Sequence, residues 1–143
     1  MADGVLDHRE IGLALALRVL EGVRAEAERA SLAVSAAVVD RGGNVVASAR
    51  MDETPLGAMA LALDKAYTAV LWETPTGGFM ASTQPGGPDW GFNTTTGGRV
   101  VVYAGGLPIV EEGRLIGGLG VSGGTGEQDE ACGRAALAAA GLG

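Results

Sequence analysis

The apolar positions of this chain change period along its length, and those changes divide it into elements. Ile11, Leu15, Val19 and Val23, joined by Leu20, recur at steps of three and four, with Arg18, Glu21, Arg24 and Glu28 on or near the opposite side. That is the pattern of an amphipathic helix. Asp7 as N-cap, with Glu10 three residues on, predicts a helix over residues 9–30 with His8 at its start. Two β-rich runs follow at 35–39 and 45–49, separated by Asp40-Arg41-Gly42-Gly43-Asn44, whose glycine pair supplies the positive φ of a hairpin turn. Thr54-Pro55 opens the next helix, with Pro55 at the first helical position. It runs from Leu56 to about Trp72, with Met59, Leu63, Ala66 and Val70 on its buried face and Lys65 one position off that face.

Residues 75–98 have no period and are rich in glycine and proline, the mark of a functional or flexible loop. A short helical turn is expected near Phe79 to Thr83. Phe79, Trp90 and Phe92, half of the six aromatic residues, lie in this loop and suggest a lid or a subunit contact. Residues 100–103 read as a third strand, 107–110 as a fourth and 115–121 as a fifth, with Glu111-Glu112-Gly113-Arg114 as the turn between the last two. The fifth run is apolar on both faces and so belongs in the middle of a sheet; its glycines at 117, 118 and 120 mark a close approach by another backbone or a ligand. Ser122-Gly123-Gly124-Thr125 then offers a nest of N–H groups for an anion. Thr125 with Gln128 also makes a capping box, and Glu127, Asp129 and Glu130 place negative charge in the first turn of a last helix, so the helix satisfies its own end. Strands gathered into hairpins and helices set apart from them define an α+β fold with a five-stranded antiparallel sheet flanked by helices.

Composition narrows the function. The 143 residues read as one domain, long enough to bury a core without staples. A net charge of −7 with ten Lys plus Arg argues against nucleic acid or an anionic membrane as partner. No apolar run is long enough to span a bilayer, and the first ten residues have neither a basic nor an apolar leader region, so a cytoplasmic location is expected. A lone cysteine, Cys132, excludes an internal disulfide, and one histidine with scattered carboxylates does not make a zinc site. A G-x-G-x-x-G match over residues 118–123 falls inside a strand of a meander, without the βαβ context that would give it meaning.

The runs GGLPIV and G-x-L-I-G-G-L-G-V-S-G-G-T-x-E-Q-D-E, together with AVVDRGGNVVA at 37–47, ARMD at 49–52 and Lys65-Ala66 followed by Thr68-Ala69, resemble the GlcG/HbpS, or haem-degrading, family, which is shared with the C-terminal domain of PduO-type adenosyltransferases. The resemblance covers nearly all of the chain from about residue 10. It implies a profilin-like domain that assembles into dimers to octamers and binds haem or another small ligand.

Haem iron needs an axial donor. The resemblance points to His8, because some relatives use a histidine on their first helix; Met51, Met59 and Met80 are the other donors. If haem binds without His8, its propionates would meet Arg50, Lys65 or Arg99. A different reading makes the protein a cofactor-independent enzyme on a small polar metabolite, with Lys65 and Arg50 neutralising a carboxylate and Asp129 or Glu127 as general base. In that reading Gly105 and Gly106 present N–H groups to the ligand, and Trp90 and Phe92 close over it. Against it, Lys65 is expected to form an ordinary ion pair with one of those acids. A third reading is an accessory or assembly subunit whose glycine-rich surfaces meet a partner.

Overall fold

The computed structural model describes residues 2–143. Its centre is one antiparallel sheet of strands β1 (Ser35–Val39), β2 (Val45–Arg50), β3 (Gly106–Glu111) and β4 (Arg114–Ser122) in the order β2-β1-β4-β3. Helix α2 (Leu56–Trp72) packs on one face against β4, β1 and β3, while α1 (Leu13–Arg29) and α3 (Gly126–Ala139) pack together on the other.

The strand pattern explains this layering. Successive side chains point to opposite faces, so Ala36 and Val38 of β1 and Leu119 and Val121 of β4 join the α1–α3 core with Val19, Val23 and Leu137. Val39 turns the other way and meets Ala66 and Val70 of α2. Strand β4 is central and buried from Ile116 to Ser122, as its apolar pattern predicts. Glu112 and Gly113 carry positive φ in its two-residue turn from β3, the conformation that matches the twist of a hairpin.

The sheet has four strands, not five. Residues 100–103 pack as an irregular stretch in which α2 takes up the Val101 backbone: the Thr68 hydroxyl accepts from Val101 N–H at 3.0 Å and donates to the Asp64 carbonyl of its own helix at 2.7 Å, with the Arg99 carbonyl at 3.3 Å. A β-rich run whose polar groups are met by a helix side chain has no need of a ladder. Helix α1 also starts later than expected, with Gly12 as N-cap and no side-chain cap. Asp7 cannot serve there, because residues 7–11 are drawn out as a strap along the hairpin turns. Pro55 is the N-cap of α2 rather than its first residue. The buried face of α2 runs through Ala58, Ala62, Lys65, Ala66 and Ala69, leaving Met59 and Leu63 half-buried and placing Lys65 on the face rather than beside it.

Candidate functional site

The glycines of β4 determine how close α2 can come. A Cβ on Gly118 would meet the Ala66 carbonyl oxygen at 2.6 Å, and one on Gly120 would run into the Ala62 carbonyl. Helix α2 therefore lies with its backbone against the sheet, and Lys65 is carried beneath the end of β4. Its ammonium passes Gly105, where a Cβ would collide with it, and donates to the Val121 carbonyl at 2.9 Å and to Asp129 Oδ2 at 3.0 Å. The Tyr103 ring lies 5.3 Å from the same nitrogen. Asp129 uses its other oxygen to accept from Gly124 N–H at 2.8 Å, so the glycine nest is filled by a carboxylate of its own chain.

Lys65 and Asp129 are each 1% exposed. The ion pair expected from the sequence is present, and its burial makes it a clamp between α2 and α3. A substrate reaches neither group while it is closed. Gly106 N–H is taken up by the Thr76 hydroxyl at 2.9 Å, which leaves it no free donor for a ligand. Gln128 and Thr125 form the predicted capping box, and Glu127 stands exposed in the first turn of α3. Burial, with Asp129 and Glu26 close by, pushes the Cys132 thiol above its ordinary range.

His8 lies at the opposite end of the sheet. It sits on the strap before α1, five residues ahead of the first helical residue, and is exposed. Its neighbours are anchored on both sides: Asp7 accepts from Arg114 Nη2 at 3.0 Å, Arg9 pairs with Glu111 at 2.5 Å and Glu112 at 3.2 Å, and Glu10 accepts from Arg41 N–H at 2.8 Å. Ile11 N–H donates to the Ile116 carbonyl at 2.9 Å. Five residues of strand separate Ile116 from Val121, so about 16 Å divides the strap from the Lys65 clamp.

The remaining candidates are dispersed. Arg50 ends β2 opposite Ser35 and lines a cleft between α1 and the β1–β2 hairpin. Arg99 is held by Asp64 at 3.0 Å and stacks 3.8 Å from the centre of the Tyr67 ring. Phe92 packs edge-on against Trp72 at 5.3 Å and against Phe79 at 5.1 Å, while Trp90 is 66% exposed. The structure thus joins Lys65, Asp129 and Gly105 but places Arg50 and Trp90 elsewhere, and none of the clefts described is lined by all of them. Thr68 and Thr76 were not singled out as functional positions in the sequence, although the Lys65-Ala66-Tyr67-Thr68-Ala69 segment contains the first of them.

The model of the haem degrading protein HbpS-like family matches residues 11–138, and the chain belongs to that family. It is 39% identical over 127 residues to an uncharacterized 15.0 kDa protein from the dhaT-dhaS intergenic region of Citrobacter freundii, covering 89% of each chain. It is 34% identical to protein GlcG of Escherichia coli K12 over 108 residues, 76% of this chain and 78% of that one. With the corrinoid adenosyltransferase PduO of Citrobacter freundii it shares 38% identity over 113 residues, 79% of this chain but only 34% of that protein. Among solved structures, Klebsiella pneumoniae protein ORFY superposes with a TM-score of 0.95 at 33% identity, covering 99% of this chain and 97% of that one. A PduOC:heme complex gives 0.89 at 32% identity, with coverage of 94% and 97%.

Proposed function

We propose that the protein is a homo-oligomeric, profilin-like small-ligand-binding protein that takes haem or a related tetrapyrrole at a boundary between copies, with His8 as the iron donor. The observation that carries this reading is the likeness to the PduOC:heme complex over nearly the whole of both chains. His8 suits the role in its chemistry: a solvent-facing imidazole can supply a lone pair to iron, and the anchored strap limits where its backbone can go. One chain does not supply the walls. Among the described residues no three His, Cys, Asp or Glu side chains gather to hold a metal ion, and none of the clefts described is lined by His8. In this reading a second copy covers the ring faces. Haem, when bound, would supply the redox and ligand chemistry of its iron; the chain's own part is to present the imidazole and exclude water from it.

Arg50 and His8 lie at opposite ends of the sheet, so they would serve one haem only if different copies contributed them. Lys65 is taken up by Asp129 and Arg99 by Asp64, which leaves Arg50 as the propionate partner of the three. Titration of purified protein with hemin tests the reading. A saturable Soret shift at stoichiometric hemin is expected, with an altered band in His8→Ala. An unshifted spectrum would remove the haem proposal, and an unchanged band in His8→Ala would remove the histidine from it.

A further inference from the structure

The cleft between α1 and the β1–β2 hairpin has a structural origin. Gly22 lets α1 settle onto α3, where a Cβ at that position would meet Ala136 at 3.2 Å. On the β2 side, Ala47, Ser48 and Ala49 offer little bulk. The helix is drawn towards α3, and the space left beside the hairpin measures about 220 Å³. Its lining includes Leu20, Val23, Val34, Ala36 and Met51, with Glu21, Arg24 and Arg50 as its charged groups.

The two arginines differ in what they have free. Arg24 is engaged by Glu21 through Nε at 2.9 Å and by Glu28 through Nη1 at 2.7 Å, so its charge is returned locally. The Arg50 side chain makes no hydrogen bond or ion pair among the described residues. A free guanidinium beside an apolar slot matches an amphipathic anion: its planar fork takes a carboxylate through two N–H groups, and the slot removes the apolar body from water. An aliphatic cavity of roughly 150 Å³ already holds a benzene, so this volume admits one ring on a short linker and is too small to enclose a tetrapyrrole. Glu28 and Asp52 line the outer mouth with Arg24 and Arg50; Glu28 is paired with Arg24, and the charge of Asp52 disfavours a ligand that brings a second anionic group to the mouth.

We propose that this cleft is a binding site for a small monocarboxylate carrying a single apolar ring or a chain of similar volume, with the carboxylate on Arg50. The site shares Arg50 with the haem reading, so the two ligands would compete for that side chain, but it rests on the lining of the cleft and does not depend on haem binding.

Calorimetric titration of the intact protein with phenylacetate, and with benzyl alcohol as its neutral counterpart, tests the assignment. Phenylacetate should bind saturably and more tightly than benzyl alcohol. Arg50→Gln should weaken phenylacetate about tenfold, the scale of one charge-assisted hydrogen-bonding group, and leave benzyl alcohol unchanged. Ala49→Leu, a substitution at an exposed position of an edge strand that lines the cleft, should abolish binding of both while the urea midpoint stays close to that of the wild type and the hemin titration is unaltered. Absence of saturable phenylacetate binding overturns the site. Equal affinity in wild type and Arg50→Gln overturns the carboxylate assignment, and undiminished binding in Ala49→Leu places the ligand elsewhere.

Discussion

Single residues in this fold are constrained mainly by how closely α2 lies on β4, and two glycines separate that constraint from ordinary backbone flexibility. Gly120 has the Ala62 carbonyl where its Cβ would be, and a main-chain atom cannot rotate away. Gly120→Ala should therefore destabilise the protein by about 3 kcal/mol, the upper part of the range for overpacking. Gly57, in the first turn of α2, has open space around the same position, and Gly57→Ala should stabilise by about 0.5–1 kcal/mol by reducing the freedom of the unfolded chain. Urea midpoints at constant m-value measure both; equal effects would mean that close approach is not what the glycines provide. Cys132 gives a second test at this scale. Its native thiol pKa lies above the unfolded value because of burial, with Asp129 and Glu26 nearby, so its contribution to stability is complete below about pH 8.5 and is lost as pH rises through the raised native value. The loss of stability between neutral and alkaline pH should be smaller in Cys132→Ala than in wild type. Parallel pH profiles would refute this.

Between elements, the Lys65–Asp129 clamp ties a helix on one face of the sheet to a helix on the other. The two charges are fully enclosed, and removing either one leaves the other without compensation. Lys65→Met and Asp129→Asn should each cost about 3–5 kcal/mol, whereas the double substitution should cost much less than their sum. An amide at position 129 still offers an oxygen to Gly124 N–H, which isolates the charge interaction from the turn. Additive losses in urea unfolding would show that the two groups do not act on each other. Much of this level was legible in the sequence. The run at 35–39, the turn glycines at 42–43 and the Thr125–Gln128 box each specify their element locally, and each element stands where its residues predict. The strand expected at 100–103 fails because the backbone partner of Val101, Thr68, is 33 residues away and acts through a side chain, which no local period records. Lys65 was placed off the buried face for the same kind of reason. A charge looks solvated until the acid that receives it, 64 positions further on, is brought beside it by the fold.

On the scale of the whole molecule, the sequence indicated which side chains carry chemistry better than which of them meet. The strap with His8, the cleft at Arg50 and the clamp at Lys65 occupy different parts of the sheet, so any composite site among them needs more than one copy. The apolar surface offers a place for such a contact. Trp90 and Met80 of the loop at 75–98 and Trp72, which meets its Phe92, are 66%, 52% and 48% exposed, and contiguous exposed apolar groups mark association surfaces. The rings there have separable roles. Phe92 is held between Trp72 and Phe79 and contributes to the fold, since each such ring pair is worth about 0.5–1.5 kcal/mol beyond its burial. Trp90 enters neither ring pair and faces solvent. If residues 76–98 form a subunit contact, wild type should sediment well above the 14.3 kDa of one chain. Trp90→Ser should shift the boundary towards that mass while changing intrinsic chain stability by no more than about 0.5 kcal/mol. Phe92→Ala should do the reverse, lowering the urea midpoint through the lost ring contacts. A wild type that sediments as one chain, or a Trp90→Ser protein of unchanged mass, would detach this loop from assembly, and the haem proposal would then need another surface to close over His8.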